Sequence, residues 1–587
     1  MSVLSVSVQK TPHDPLSWWR ESRFGMFIHW GLYAVLAGEW RGKKINGIGE
    51  WIMYIAKIST QDYAALAAQF NPTAFDADAV VRLARDAGMK YLVITAKHHD
   101  GFAMFKSSDP FNIVDATPFK HDPMKDLAAA CRKYGIKLCF YYSQDLDWHA
   151  PGGSMHWEED DAAGARVSVT PERFARYFEG KVKSQIRELL TGYGPVGLIW
   201  CDVPAAITKE QSMSLREYIH SIQPDCLVSG RVGHDCGDYG SLGDNQIPAG
   251  KVSGDWETPA TLNNTWGYKK DDHNWKSVDY LIRLLVQCAS KGVNYLLNIG
   301  PASDGTVPVP SVERLQAVGQ WMKVNGESIY GTSQNPFPCD FPWGRVTCKT
   351  GRIYLHFLSW PGRDFALAGM RSKVLGARLL ADGREIIQFS QETDHASDYH
   401  LLRLQLPESS PDPCVSVVAL DITGDPDIDD LPVQQPDGGI VLPAWISSKE
   451  NADELVLERA GYFTGWKTNR PKVSWSLRIR TTGTFRVFVQ TVMDREGDLG
   501  FREKEGKNKY GDHLMRIDLS GSSISGRVGR KDMIMDERVN RWHTAESDIG
   551  TITIGTVGKL CLTLTLEELD RTSYLGPTVC GVRLQRT

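Results

Sequence analysis

The chain has 587 residues, of which 42% are hydrophobic and 23% charged, and its net charge is -5. This length exceeds what one hydrophobic core can serve, so we expect several domains, and the composition is that of a globular protein. The weakly acidic balance gives no reason to expect nucleic acid or an anionic membrane surface as a partner.

The N-terminal segment and the cysteines both favour a protein that is not exported. Residues 1–10 lack the basic region and apolar stretch of a signal peptide, and no run of about eighteen apolar residues predicts a membrane span. The 11 cysteines are an odd number and have no CxxC spacing, which favours reduced thiols over a disulfide framework or a zinc site. We therefore expect a cytoplasmic protein, or a secreted or periplasmic one if a leader has been removed.

The first 335 residues alternate apolar segments with amphipathic ones. Helices are predicted over 76–88, 122–135 and 276–292, each of which ends at a glycine. Continuous apolar character predicts strands that are buried on both faces of a parallel sheet, over 24–31, 90–96, 136–143, 196–202, 226–231, 252–257 and 294–300. This alternation predicts an α/β fold, an irregular (β/α)8-like TIM barrel over 1–335, with the eighth strand degenerate or missed.

The pattern changes after the predicted barrel. Short alternating strands such as 352–357 and 415–420 predict a β-sandwich over 336–424. Residues 425–440 are rich in Asp, Pro and Gly and predict a linker, and alternation over 475–480 and 485–489 predicts a second β-sandwich over 441–587. The fold class is therefore α/β plus all-β, a barrel followed by two sandwiches.

Chemically competent side chains follow the predicted barrel strands, at the end where TIM barrels hold their active sites. They are His29, Glu50 with Trp51, His98 with His99, Tyr141 with Tyr142, Trp200 with Asp202, Arg231, and Glu257. Asp202 ends an apolar Ile-Trp-Cys run, where an unpaired acid is costly unless it has a use. A pair of carboxylates such as Asp202 and Glu257 is what glycosidic bond cleavage requires, so we expect a glycoside hydrolase.

Several of these residues also have a structural interpretation. His29 fits a buried, hydrogen-bonded histidine, Arg231 an ion-pair partner and Glu257 an exposed loop acid. His98 and His99 are adjacent and point to opposite faces of a strand, which argues against a metal site. The 18 tryptophans suit the binding of sugar rings, although a tryptophan-rich sandwich core would also account for them. Three further acids compete for the role of nucleophile: Asp100, Asp145 and Asp147.

Four segments together resemble the α-L-fucosidases, glycoside hydrolase family 29. They read FGMFIHWG over 24–31, GEW over 49–51, TAKHHDGF over 95–102 and FYYS over 140–143. The resemblance covers about residues 15–335 and implies an irregular (β/α) barrel followed by a β-sandwich. It also implies fucosylated oligosaccharides or glycoconjugates as substrates, and we expect neither a cofactor nor a metal ion.

The resemblance also assigns roles to residues. Asp202 matches the nucleophile, with Cys201 where the family usually has an aromatic residue or Asn. Glu257 is expected to be the acid/base, in a segment over 256–268 that is similar to the branch preferring α-1,3/1,4-linked fucose. Only one of Tyr141 and Tyr142 can face the pocket, and Tyr142 is the one we assign. The residues expected around the fucose are His29, Glu50, Trp51, His98, His99, Tyr142, Trp200, Arg231 and Trp266.

The expected activity is that of a retaining exo-α-L-fucosidase acting through a covalent glycosyl-enzyme. Alternatives are α-1,2/1,6-fucosidase or α-L-galactosidase specificity, a fucosyl-transferring enzyme, a metal-dependent hydrolase, and a catalytically silent fucose-binding protein. The segment 462–467 is similar to an accessory sandwich that binds carbohydrate or packs on the barrel. The sequence leaves open whether the chain forms a homo-oligomer.

Overall fold

The computed structural model describes residues 14–156, 169–248, 250–381, 386–458, 461–494, 511–530, 542–572 and 576–587. No helix in these ranges is long and apolar enough to cross a lipid bilayer. All 11 cysteines lie within them, and each is a free thiol.

A parallel sheet of eight strands forms the N-terminal half and confirms the predicted TIM-like barrel. Its strands are β1 (Phe24–Ile28), β2 (Tyr91–Lys97), β3 (Lys137–Tyr142), β4 (Leu198–Cys201), β5 (Leu227–Val228), β6 (Gly240–Ser241), β7 (Trp256–Thr261) and β8 (Val293–Ile299). The order around the sheet is β5-β4-β3-β2-β1-β8-β7-β6, so β5 and β6 are its edge strands. Within the described residues, these two edges are joined by one parallel bridge, between Ser229 and Tyr239. We call this place the seam.

Helices connect the barrel strands, and their boundaries follow ordinary capping chemistry. The helix predicted over 122–135 runs from Pro123 to Tyr134, because the Asp122 carboxylate accepts from the Met124 N–H and Gly135 takes φ 68° at the C-terminus. The helices are Ser17–Ser22, Tyr33–Leu36, Ile52–Ile55, Thr60–Ala65, Ala77–Asp86, Ile113–Ala116, Pro123–Tyr134, Pro171–Tyr177, Lys183–Gly192, Lys209–Ile222, Val278–Ser290 and Val309–Asn325.

One predicted strand lies in a different place. The segment expected over 252–257 is not the strand, which is instead β7 at Trp256–Thr261. Pro259 lies inside β7, where a missing N–H normally argues against a central strand. The backbone of Pro259 faces β6, and its carbonyl accepts from the Asn245 N–H, which lies beyond the end of that two-residue strand. Because β6 ends before this point, the N–H that Pro259 lacks would have had no strand carbonyl to bond. The very short β6 is also the eighth strand that the sequence pattern missed.

Alternation along the barrel strands separates an inner cluster from an outer one. Phe27, Val93, Tyr141 and Trp200 belong to a cluster inside the barrel. Their chain neighbours pack outwards against the helices, in a larger cluster that includes Tyr142. Side chains at adjacent positions of one strand therefore have different surroundings, as the period of two requires.

Two antiparallel β-sandwiches follow the barrel. The first has sheets β9-β10-β15-β12 and β11-β14-β13, and the second has sheets β18-β19-β26-β21-β24 and β17-β20-β25-β22-β23, with β16 paired to β26. The strands are β9 (Gly344–Lys349), β10 (Arg352–Phe357), β11 (Asp364–Ala368), β12 (Val374–Leu379), β13 (Gln388–Asp394), β14 (Tyr399–Gln405), β15 (Ser416–Ile422), β16 (Gly439–Pro443), β17 (Ser448–Glu450), β18 (Val456–Leu457), β19 (Phe463–Thr464), β20 (Lys472–Ile479), β21 (Gly483–Asp494), β22 (His513–Leu519), β23 (Ser522–Val528), β24 (Trp542–Ile554), β25 (Gly558–Glu568) and β26 (Val579–Arg586).

The first sandwich packs directly on the barrel. Trp321, in the last barrel helix, donates its indole N–H to the Val415 carbonyl at 2.9 Å, and Val415 and Tyr354 belong to the same buried cluster as the barrel helices. Each sandwich also has a core of its own. The last barrel helix is thus packed against the first sandwich.

Candidate active site

A cavity of about 550 Å³ opens at the carboxyl ends of the barrel strands. This volume lies in the range of sites that hold small ligands. Its walls combine aromatic rings, histidines and three carboxylates. The lining residues are Phe27, His29, Ile48, Glu50, Trp51, Tyr54, His98, His99, Met155, Trp200, Asp202, Val203, Arg231, Asp244 and Trp266.

Asp202 follows β4 directly and is held by three neighbouring strands. Its Oδ1 accepts from Arg231 Nη1 at 2.9 Å, and its Oδ2 accepts from the Tyr141 hydroxyl at 2.9 Å. His99 Nε2 lies 3.6 Å from the same Oδ2. Burial acts to raise the pKa of Asp202, but the charge of Arg231 and these hydrogen bonds outweigh it, so the pKa lies below its usual value. The carboxylate is therefore ionised at neutral pH.

Arg231 joins two carboxylates across the seam. Its Nη1 donates to Asp202, and its Nη2 donates to Asp244 Oδ1 at 2.6 Å and to the Leu242 carbonyl at 3.0 Å. Asp244 follows the missed strand β6, and its side chain is 30% exposed, against 11% for that of Asp202. The two acids share one guanidinium, which places them on the same side of the cavity, and Asp244 is the more exposed of the two.

The three cavity histidines are neutral. Burial lowers the pKa of His29 to about 3 and that of His99 to about 4, and it holds the pKa of His98 well below its usual value. His29 Nδ1 lies 2.7 Å from Asn298 Oδ1, and His99 Nδ1 lies 2.7 Å from Ser143 Oγ. These contacts orient each ring and leave Nε2 facing away from them, so neutral imidazoles are available to hydrogen-bond sugar hydroxyls.

Glu50 is a second buried carboxyl group in the cavity wall. Its Oε2 accepts from the Gly267 N–H at 2.8 Å and from Thr265 Oγ1 at 3.3 Å, whereas Oε1 has no hydrogen-bond partner among the described residues. Burial raises the pKa of Glu50 to about 7, against the effect of these hydrogen bonds. One buried oxygen of Glu50 thus lacks a protein partner, which favours a role in binding a ligand hydroxyl.

Aromatic rings complete the walls around these polar groups. Trp200 stacks on Tyr141 with centroids 5.6 Å apart, and the Arg231 guanidinium lies 4.7 Å above the Trp200 ring. Trp266 packs against His29 at 5.1 Å, and Trp51 packs edge-on against His99 at 5.3 Å. Flat apolar faces beside neutral hydrogen-bonding groups suit a sugar ring, which presents both kinds of surface.

Eight residues that the resemblance placed around the sugar do line this cavity. They are His29, Glu50, Trp51, His98, His99, Trp200, Arg231 and Trp266. The ninth, Tyr142, does not. Its side chain is on the outer face of β3, and its hydroxyl donates to Gln185 Oε1 at 2.7 Å. Tyr141 is the tyrosine that contacts Asp202, so the choice of Tyr142 was wrong.

Glu257 also lies outside the cavity wall, contrary to the arrangement expected for an acid/base. It is the second residue of β7 and pairs with Asn294 near the start of β8, whereas the cavity residue His29 contacts Asn298 near the end of that strand. Four residues of strand span about 13 Å. Glu257 is fully buried at the amino-terminal side of the barrel. The expected strand over 252–257 would have put it at the opposite end.

The three rival aspartates have structural contacts and do not line the cavity. Asp100 accepts from the Tyr63 hydroxyl at 2.8 Å. Asp145 accepts from three successive backbone N–H groups, those of residues 205–207, at 2.7 to 2.8 Å. Asp147 binds Lys97 at 3.1 Å and Lys181 at 3.0 Å. Across the described ranges, no three His, Cys, Asp or Glu side chains form a group that could hold a metal ion.

Among the residues of this site that sequence reasoning missed are Asp244, which binds Arg231, and Asn298, which contacts His29. Asp244 follows a two-residue strand, too short to produce an apolar run, and the signal available was a Gly-Asp-Asn turn a few residues after Arg231. Asn298, which orients His29, is a polar residue inside the mainly apolar strand β8. We interpreted that strand only as core, so its polar residues were not considered for the site. Both lie at strand ends that face the same cavity as Asp202.

Comparison with known proteins gives a consistent picture. A family model described as Alpha-L-fucosidase matches residues 5–327. The tissue alpha-L-fucosidase of Mus musculus is 32% identical over 372 residues, which are 59% of this chain and 78% of that protein. The crystal structure of an alpha-L-fucosidase from Vibrio sp. strain EJY3 is similar with a TM-score of 0.84 and 29% identity, covering 97% of both chains.

A further solved structure concerns the chemistry. It is an alpha-L-fucosidase from Bacteroides thetaiotaomicron, trapped as a covalent intermediate with 2-fluoro-fucosyl fluoride. It is 28% identical with a TM-score of 0.62, covering 70% of this chain and 97% of that one. Since the family model spans more than half of the residues, the chain belongs to the alpha-L-fucosidase family of glycoside hydrolases.

Proposed function

We propose that the protein is a retaining exo-α-L-fucosidase, which releases terminal fucose from fucosylated oligosaccharides or glycoconjugates with Asp202 as the nucleophile. The observation that carries this proposal is a buried but ionised aspartate in a sugar-sized cavity, bound by Arg231 and Tyr141. The covalent intermediate of the Bacteroides relative supports the same two-step chemistry.

Asp202 acts in the first step by attacking the anomeric carbon. Because Arg231 lowers its pKa, the carboxylate is in the nucleophilic form without help from a neighbouring base. The attack forms a glycosyl ester and breaks the bond to the leaving oxygen, which takes a proton from the acid/base. Water then attacks the ester with the same acid/base removing its proton, so the anomeric configuration is retained.

Asp244 is the carboxyl group best placed to be that acid/base. It lines the cavity, shares Arg231 with Asp202, and is more exposed, so it can reach a departing oxygen and an incoming water. Retaining glycosidases hold the two carboxyl groups about 5–5.5 Å apart, a separation compatible with two acids on the two terminal nitrogens of one guanidinium. When Asp244 gives up its proton, the Arg231 guanidinium is already in place to stabilise the resulting carboxylate.

Glu50 is better suited to recognition than to proton transfer. Its side chain is almost fully buried, and one oxygen is committed to the Gly267 N–H. The free Oε1, together with the neutral ring nitrogens of His29, His98 and His99, provides hydrogen bonds for the hydroxyls of a sugar. The rings of Trp51, Trp200 and Trp266 provide apolar faces, one of which can accept the C5 methyl group of a 6-deoxy sugar.

Variants of the two proposed catalytic acids test these roles separately. Asp202→Ala should lower turnover of aryl α-L-fucosides by several orders of magnitude, and azide or formate should restore part of the rate. Asp244→Ala should retain activity on substrates with good leaving groups and lose it on those with poor ones, because only the latter need a proton. Asp100→Asn, in a buried aspartate outside the cavity, is the control. Wild-type rates in both alanine variants would refute the assignment.

The linkage preference is a separate part of the proposal. We propose α-1,3/1,4-linked fucose, on the sequence similarity of residues 256–268 to one branch of the family, although β7 places Glu257 of this segment away from the cavity. Product analysis on α-1,2-, α-1,3-, α-1,4- and α-1,6-fucosyl oligosaccharides tests it. A panel of nitrophenyl glycosides tests α-L-galactosidase specificity. Binding of fucosylated glycans without any released fucose would indicate a silent binding protein instead.

A further inference from the structure

Glu257 is a fully buried carboxyl group that is surrounded by hydrogen-bond donors from other parts of the barrel wall. The Tyr91 hydroxyl donates to Oε2 at 2.7 Å, the Trp200 indole N–H donates to Oε1 at 2.8 Å, and the Tyr239 hydroxyl lies 3.5 Å from Oε1. No Lys, Arg or His in the described part of the chain forms an ion pair with it. A buried acid without a cation is costly, so its contacts call for an explanation beyond packing.

Trp200 connects this acid to the cavity. Its N–H is held by Glu257, while the ring lines the cavity and supports two other side chains. Tyr141 stacks on the ring at an interplanar angle of 18°, and Arg231 lies above it at 4.7 Å. Tyr141 and Arg231 are the two residues that hydrogen-bond Asp202. One indole is therefore in contact with both groups that hold the proposed nucleophile.

We propose that Glu257 is a positioning residue for glycoside hydrolysis, which fixes the Trp200 ring and through it the Tyr141 and Arg231 contacts to Asp202, without touching the substrate. The inference rests on the proposed function, because it concerns how Asp202 is held during the reaction. A displacement of about 1 Å in a catalytic group can lower the rate roughly 100-fold. The hydrogen bond between Glu257 and Trp200 can therefore affect turnover although Glu257 does not touch the sugar.

The charge of Glu257 affects the strength of its hydrogen bond with Trp200. An indole N–H can only donate, so Oε1 accepts from Trp200 in either protonation state, and the bond is stronger when the acid is ionised. Burial raises the pKa of Glu257 to about 7. The other titratable groups against it are Tyr91, Tyr239 and Cys139, and burial raises the pKa of each further above its usual value. Glu257 is thus the group in this cluster whose charge changes near neutral pH.

Two substitutions of Glu257 and one control separate positioning from packing. Glu257→Gln keeps an acceptor for Trp200 but cannot ionise, and Glu257→Leu fills similar space without an acceptor. Tyr91→Phe removes the other hydrogen bond to Glu257 and leaves the Trp200 contact in place. The full chain is labelled with 5-fluorotryptophan, and the Trp200 fluorine resonance is assigned with Trp200→Phe. Steady-state rates with 4-nitrophenyl α-L-fucoside give kcat and KM.

The expected results differ among the three variants. Glu257→Leu should lower kcat roughly 10- to 100-fold, with little change in KM, and should move the Trp200 resonance. Glu257→Gln should keep kcat within about threefold, but its Trp200 resonance should lie at a different position from that of the ionised wild type and should lack the titration that we expect in the wild type. Tyr91→Phe should change thermal stability and leave kcat as it is, and it should move the midpoint of the Trp200 titration to higher pH, because the Tyr91 hydrogen bond lowers the pKa of Glu257.

The inference is overturned if Glu257→Leu folds with an unchanged kcat and an unchanged Trp200 resonance. Should that variant fail to fold, Glu257→Gln decides. A Trp200 resonance that has the same position in wild type and Glu257→Gln across the whole pH range would show that Glu257 does not control the ring. A wild-type protein that hydrolyses no fucoside would refute the proposed function instead, and the Trp200 resonance would still report on its hydrogen bond with Glu257.

Discussion

Two neighbouring tyrosines on β3 offer a matched pair of substitutions that tests the geometry around Asp202. Tyr141 and Tyr142 are both fully buried, and each donates one side-chain hydrogen bond. The acceptor is the Asp202 carboxylate for Tyr141 and the Gln185 amide oxygen for Tyr142. Replacement of either residue by Phe removes the same single oxygen atom, so differences between the variants come from the partner that is left behind.

The magnitudes follow from those partners. A hydrogen bond to a charged group contributes about 1.5–3 kcal/mol, against about 1 kcal/mol between neutral groups. If the Tyr141 contact is kept in the transition state, Tyr141→Phe should lower kcat/KM roughly 10- to 100-fold, since about 1.4 kcal/mol is a factor of ten. Tyr142→Phe should destabilise the fold by about 1 kcal/mol and leave kcat/KM within about threefold.

The pH dependence gives a second, independent observable. Burial raises the pKa of Asp202, whereas Arg231, His99 and Tyr141 lower it, with a net value below the usual 3.8. Deletion of the Tyr141 hydroxyl removes one lowering contribution, so the acid limb of kcat/KM should move to higher pH. The depressed pKa also stabilises the fold above the unfolded-state pKa, and this stabilisation is lost as the pH falls. Tyr141→Phe should therefore cost more unfolding free energy at pH 7 than below about pH 4.

The assays are kinetics with an aryl α-L-fucoside across pH and urea unfolding of each variant. Equal losses of kcat/KM in both variants would mean that the effect comes from packing of β3. A loss confined to Tyr142→Phe would refute the assignment of inner and outer faces. An unchanged acid limb in Tyr141→Phe would show that the hydroxyl does not interact with the group that must be ionised for activity.

The remaining predictions concern stability. Asp145→Asn should lower the free energy of unfolding by about 1.5–3 kcal/mol, because the carboxylate caps the backbone N–H groups of residues 205–207; an unchanged melting temperature would contradict this. Lys97→Met should cost about 3 kcal/mol by leaving Asp147 with one cation fewer in a fully buried site, as urea unfolding would measure. The pKa of His99 is lowered to about 4, so this residue should remove about 1.4 kcal/mol of stability per pH unit as the pH falls from 6.5 towards 4, and His99→Gln should reduce that slope.

The barrel could be predicted because its central strands are buried on both faces. Residues 91–97 and 293–299 are buried at every position and consist mainly of apolar side chains, which is the pattern a parallel sheet imposes. Asp202 was equally visible, since it ends such a run. The other cavity residues were predicted from the family resemblance, which rests on motifs such as those around His29 and His98.

The errors lie where the barrel departs from that pattern. Strand β6 has two residues and β7 contains Pro259, so neither produces an apolar run. A shift of β7 by four residues exchanges one end of the barrel for the other, which is why Glu257 was assigned to a cavity it does not line. Asp244 was missed because it follows β6, the strand that the sequence pattern did not predict. Tyr142 was chosen over Tyr141 because a strand pattern gives alternation but does not say which of the two faces is the inner one.

The seam also determines how the two proposed acids are held. Within the described residues, one backbone bridge between Ser229 and Tyr239 joins strands β5 and β6, and Arg231 and Asp244 come just after these strands. Side chains reinforce this bridge: Arg231 Nε donates to Ser241 Oγ at 3.1 Å, and the Val228 N–H donates to Asp238 Oδ2 at 2.7 Å. Because Arg231 also donates to Asp202 and Asp244, one side chain both closes this wall and fixes the two carboxylates, so its loss would affect barrel closure and the pair of acids together.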